Sequence, residues 1–115
     1  MTFPYKERDT PKPRQLQRLE EITKEVRQLC SKPDCTPWFV YLPSKWQVYG
    51  AGGGQMRDAT IAIASAAGLR TIDLTPVLKS ASRLTFHAFD SHWNATARGL
   101  ATKELARHLS NRIAE

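Results

Sequence analysis

A chain of 115 residues forms one domain at most, and 41% hydrophobic with 24% charged residues excludes disordered and fibrous classes. The 17 basic and 11 acidic residues leave a net charge of +6. That charge is spread as 8 against 6 over residues 1–35, 4 against 2 over 36–80 and 5 against 3 over 81–115, a dispersed solvated surface rather than the basic patch a nucleic-acid partner requires.

In chain order, "MTFPYKERDTPK" at residues 1–12 is polar and proline-rich and is expected to be a flexible N-terminal segment. It carries no secretory signal, and no run in the chain approaches the roughly 20 apolar residues of a membrane span. The chain as given is expected to be soluble and to span no membrane. A longer parent protein could still be exported, so localisation stays open. From Pro13 to Leu29 the residues Leu16, Leu19, Ile22, Val26 and Leu29 recur at three- and four-residue spacings, one stripe of an amphipathic helix. Arg18, Glu21, Lys24 and Glu25 fall largely outside it. Next comes "CSKPDC", in which Pro33 and Asp34 suit a turn. Cys30 and Cys35 are there either a local disulfide in an oxidising compartment or two independent thiols at a helix end and a strand start. Two cysteines with His87, His92 and His108 scattered along the chain do not make a zinc pattern, and no metal is expected.

Trp38 to Leu42, "WFVYL", is a continuous apolar run of the kind buried on both faces of a parallel sheet, ended by Pro43. Ser44 after it suits a turn or a helix cap. "GAGGG" at Gly50 to Gly54 is a flexible loop, without the Lys-Ser/Thr of a phosphate-binding loop or the spacing of a dinucleotide fingerprint. A helix is predicted from Gln55 to Ala67, with Gly68 at its C-terminus. Leu69 to Leu74, "LRTIDL", is a second strand, and "TPVLKSA" a short helix with Thr75 as N-cap and Pro76 at its first position. Ala97, Ala101, Leu105, Leu109 and Ile113 mark a closing amphipathic helix, with Arg98, Lys103 and Arg107 outside the stripe. Strands alternating with helices indicate an α/β layer with parallel strands. Two strands are few for a self-sufficient sheet, so the chain reads as part of a larger α/β domain or as a module that needs a partner.

Between the second strand and the last helix lies "FDSHWNATARG", Phe89 to Gly99. A histidine works as a general base near neutral pH, best with a carboxylate holding its other ring nitrogen. Asp90 and His92 project to one side of an extended segment, at a loop of the kind where open α/β sheets gather catalytic residues. Lys45 and Tyr49, just past the first strand, are further candidates. A lysine there could reach a substrate carboxylate or phosphate, and Trp46 and Tyr49 are expected to pack rather than to bind sugar.

"YLPSKWQVYG", "LRTIDLTPVL" and "FDSHWNATARGLATKELARHL", in this order, resemble the C-terminal half of an SGNH (GDSL-like) hydrolase, especially the branch with the alginate O-acetylation proteins. There a strand ends in Pro-x-Lys…Tyr, a second in Asp-Leu-Thr-Pro, and Asp-x-His-Trp opens the last helix. The resemblance implies that residues 13–115 are the C-terminal part of an SGNH-like domain: a partial three-layer α/β/α, flavodoxin-like fold with a small parallel sheet. It implies a catalytic pair, His92 as base and Asp90 as its orienting carboxylate, with Lys45, Trp93 and Asn94 toward the substrate. Trp93 would pack beside the pair, Asn94 would hold the turn or cap the helix, and Gly99 would let the last helix approach the sheet closely. The substrate would be an acylated small molecule or polysaccharide, without metal or organic cofactor, and family relatives are often periplasmic or extracytoplasmic. The family's Gly-Asp-Ser nucleophile is missing: none of Ser31, Ser44, Ser65, Ser80, Ser82, Ser91 and Ser110 follows Gly-Asp. The family's glycine and asparagine oxyanion donors have no match either. The implied partner is therefore a Ser-bearing half or another subunit, and the chain alone is expected to be inactive. A non-catalytic SGNH-like binding module is the alternative.

Overall fold

The computed structural model describes residues 10–50, 54–81, 85–87 and 92–113, with side chains to residue 110. It is a mixed α/β structure whose small sheet has two parallel strands. In chain order the elements are α1 (Pro13–Leu29), β1 (Trp38–Tyr41), α2 (Lys45–Tyr49), α3 (Gln55–Ala66), β2 (Arg70–Asp73), α4 (Thr75–Lys79) and α5 (Ala95–Ile113). The chain forms two compact units, one of residues 1–41 and 52–71, the other of residues 42–51 and 72–115, with the division falling inside β2. Among the described residues no helix is long and apolar enough to cross a membrane. Most of the 1–12 segment and the centre of "GAGGG" lie outside the described residues.

In the first unit α1 packs on α3, and α3 on β1. Pro13 opens α1, where its missing N–H and fixed φ cost nothing. The buried face of α1 differs from the apolar stripe. Thr23 is 2% exposed, while Ile22 is 47%, Val26 37% and Leu29 81% exposed. The Thr23 hydroxyl is satisfied within the helix, donating to the carbonyls of Leu19 at 2.9 Å and Glu20 at 3.0 Å, so its burial leaves no orphaned polar group. The rotation follows from the end of the helix: Cys30 is buried and joined in a disulfide to Cys35, Cα to Cα 5.3 Å. The intervening turn has Pro33 and Asp34 at its centre and closes with the Cys35 N–H on the Lys32 carbonyl, 3.0 Å. This pairing settles the two cysteines as a local staple between α1 and the approach to β1, and it turns Thr23 and Cys30 inward in place of Ile22 and Leu29.

α3 ends in a Schellman motif. The Leu69 N–H reaches the Ala64 carbonyl at 3.1 Å and the Gly68 N–H that of Ser65 at 3.0 Å. Gly68 sits at φ +92°, a conformation that favours glycine, and a Cβ there would lie 3.1 Å from the Arg27 side chain. β1 is less enclosed than its sequence suggests. Tyr41 is buried, but Trp38, Phe39 and Val40 are only half-buried. Arg70 on β2 lies over the Trp38 ring, 5.9 Å from its centroid, a cation–π contact that shields part of the exposed indole.

In the second unit α2 and α5 both pack on α4. α2 has no hydrophobic period to announce it, but Ser44 caps it in a full capping box: Ser44 accepts from the Gln47 N–H and Gln47 accepts from the Ser44 N–H. α4 begins one residue differently from expectation. Thr75 is its first helical residue rather than its N-cap, and Asp73 accepts the Thr75 N–H at 2.9 Å. Thr75 itself is buried at 2% exposure, so its side chain joins the core and does not cap the helix. On α5, Ala97 and Ala101 are buried as their spacing predicts, but Leu109 is 42% exposed, so the stripe loses its cover toward the C-terminus. Gly99 corrects a further expectation: it is exposed, and a Cβ would meet nothing within 4 Å, so it mediates no close approach among the described residues.

Leu69→Ala is expected to lower stability by about 2–5 kcal/mol, as for a buried leucine, and Leu29→Ala by about 0.5 kcal/mol or less. Urea unfolding of the two variants measures this, and equal losses would mean that α1 buries the stripe its sequence displays.

Candidate functional site

The part of the motif that is described is one arm of a short antiparallel pair within the second unit. Phe86 bridges to Trp93, the His87 N–H donates to the His92 carbonyl at 3.1 Å, and the Asn94 N–H to the Thr85 carbonyl at 3.0 Å. Phe86, 3% exposed, anchors the pair in the apolar cluster of Val48, Leu78 and Ala97, against which Trp93 also packs. His92 stands exposed on the outer arm. Asp90, its intended partner, lies outside the described residues, as does Ser91. Asn94 caps α5: its Oδ1 accepts the Ala97 N–H at 3.0 Å and its carbonyl the Arg98 N–H at 3.1 Å. Arg98 in turn donates to the Trp93 carbonyl at 3.2 Å. Trp93 and Asn94 thus have structural work: one fills the core edge, the other starts the helix.

Lys45 and Tyr49 approach from α2, one turn apart. The Lys45 ammonium donates to the His87 carbonyl at 2.9 Å. The Tyr49 hydroxyl accepts the Thr85 N–H at 2.6 Å, the Phe86 N–H at 3.0 Å and the Thr85 hydroxyl at 3.3 Å. Its ring meets that of Phe86 edge-on, centroids 5.4 Å apart at 79°, the favoured geometry for two quadrupoles. Burial pushes the Tyr49 phenol up. The hydrogen bonds from the Thr85 hydroxyl and the Thr85 and Phe86 amides, with the nearby Lys45 charge, outweigh it and hold the phenol below its ordinary value of 10.0. Tyr49, a candidate from its place just past the first strand, stands four residues after Lys45 on the same face of α2.

A carboxylate–histidine pair is described elsewhere, on α5, where Glu104 Oε1 lies 3.0 Å from His108 Nε2 and also accepts from Arg107. The Arg107 hydrogen bond, ahead of the other contributions, holds the Glu104 carboxyl below the usual range. This is a side-by-side set on one helix surface, at the spacing of ordinary helix ion pairs. Among the described residues no three His, Cys, Asp or Glu side chains gather to hold a metal. No family model matches this sequence, and no curated protein or solved structure is significantly similar to it.

Two outcomes test this geometry. Asn94→Ala is expected to cost about 1 kcal/mol in thermal unfolding, with Asn94→Asp retaining most of it; equal losses would discard the cap. The lowered phenol means that ionised Tyr49 is better accommodated folded than unfolded. That preference stabilises the fold above pH 10.0 and is lost as the pH falls through the lowered folded value. Ultraviolet titration of phenolate should show a phase below pH 10.0 that is missing in Tyr49→Phe.

Proposed function

We propose that this chain is the C-terminal portion of an SGNH-like serine esterase or O-acyltransferase acting on an O-acylated substrate such as a polysaccharide. The observation that carries the reading is Asp90-x-His92-Trp93-Asn94 set directly before the last helix, after the Pro-x-Lys…Tyr and Asp-Leu-Thr-Pro segments. The exposure of His92 on a tethered arm supports it, since a general base must reach a group the chain does not itself supply. In this role His92 takes the proton from a serine hydroxyl while the serine oxygen attacks the acyl carbonyl carbon. The resulting imidazolium, stabilised by Asp90, returns the proton to the departing alcohol oxygen. Water or an acceptor hydroxyl then repeats the step in reverse on the acyl-serine, giving hydrolysis or transfer.

The serine has to come from a Ser-bearing half or another subunit, because no serine here follows Gly-Asp. That absence favours a second reading, a non-catalytic SGNH-like module that binds without turnover.

The isolated chain is expected to hydrolyse a small acetyl ester no faster than buffer. Turnover above buffer that His92→Ala abolishes would overturn the split-site reading and imply an unrecognised nucleophile. In the full-length context His92→Ala and Asp90→Asn are each expected to lower kcat by roughly 10⁴-fold, measured as acetate release. Unchanged activity in both would leave the binding module.

A further inference from the structure

The Lys45 and Tyr49 side chains converge on three consecutive residues. On α2, four residues apart, they project from one helix face, while Val48 between them points into the core at 9% exposure. Lys45 holds the carbonyl of His87, and Tyr49 holds the amides of Thr85 and Phe86. Those residues form the inner arm of the antiparallel pair whose outer arm begins at His92. The described pairing is short, with a single bridge and two backbone hydrogen bonds, and an isolated two-stranded hairpin is marginally stable in water. Something besides strand pairing has to hold the inner arm in place. The Phe86 ring supplies apolar anchorage, but a ring in a pocket leaves the strand free to rotate about it. The three polar contacts from α2 remove that freedom, because they fix backbone groups on both sides of Phe86.

We propose that Lys45 and Tyr49 are positioning residues: they clamp the 85–87 arm to α2 and thereby set the placement of the His92 imidazole. Their importance to catalysis rests on the reading of His92 as a general base; the clamp itself does not. Lys45 on this account acts on the protein's own backbone rather than as an anchor for a substrate anion. A displacement of about 1 Å in a general base costs on the order of 10²-fold in rate, so two side chains that never touch substrate can govern turnover.

The test is nuclear magnetic resonance on the full 115-residue chain, comparing Tyr49→Phe, Lys45→Met and Ala101→Gly. The last loosens α5 without touching the clamp. In Tyr49→Phe the Thr85 and Phe86 amides are expected to exchange about fivefold to tenfold faster, the scale of one lost hydrogen bond. The His92 imidazole resonances are expected to move in both Tyr49→Phe and Lys45→Met, with the α1 and α3 resonances unchanged. Ala101→Gly should move neither readout. Unaltered His92 signals in the two clamp variants, or equal changes in Ala101→Gly, would overturn the proposal. If Tyr49→Phe does not fold, Lys45→Met decides by the same criterion. In a full-length active enzyme the clamp variants should lower kcat with KM unchanged. If His92→Ala leaves activity intact there, the catalytic reading fails while the resonance result still decides the clamp.

Discussion

The burial of Phe86 is the contact on which the second unit depends. Its ring lies among Val48 of α2, Leu78 of α4 and Ala97 of α5, so one side chain from a short strand ties together three helices that follow one another only at long sequence separation. Ala97 is completely buried, and its small side chain lets α5 approach the ring. Trp93 lies against the same cluster from the opposite arm. The residues flanking Phe86 can therefore be held by polar contacts to α2, and the residues flanking Trp93 lead into His92 on one side and the Asn94 cap on the other. Packing, strand pairing and helix initiation all meet at this pair.

The first unit is organised by a different constraint, the staple between Cys30 and Cys35. A disulfide across a six-residue segment removes little chain entropy compared with one closing a long loop, so its main structural consequence is directional. It commits the last turn of α1 to face the approach to β1. The cost is visible on the outside of the helix, where Ile22, Val26 and Leu29 stay exposed, and on the inside, where a threonine takes a core position by donating its hydroxyl back to the helix.

Much of this was legible in the residues themselves. The bounds of α1, the end of α3 at Gly68, both strands and the amphipathic pattern of α5 follow from spacing, capping and turn chemistry, which act over a few neighbours. The Ser44–Gln47 capping box is equally local, and Ser44 suits a cap, yet α2 is too short for hydrophobic periodicity to display. Asp73 accepts the Thr75 N–H at the start of α4 while the Thr75 side chain turns into the core, a choice that only three-dimensional placement resolves. The same limit applied to Gly99, where a glycine inside a helix pattern suggested close packing and in fact faces open space.

By itself, the sequence determined the element types and their order, the α/β character, the sites of chain reversal and the chemistry available at Asp90, His92, Lys45 and Tyr49. Each of those follows from periods of two or 3.6 residues, from caps, and from the functional groups present. Only the tertiary structure decided which face of α1 is buried, that Cys30 bonds Cys35, and that Lys45 and Tyr49 turn toward the backbone of Thr85, Phe86 and His87. The Lys45 and Tyr49 contacts join residues about 40 positions apart, and the disulfide depends on how the turn after α1 brings the two thiols together, which residue spacing alone does not record. The motif around His92 supplies a candidate base; its setting is supplied by a helix 40-odd residues earlier.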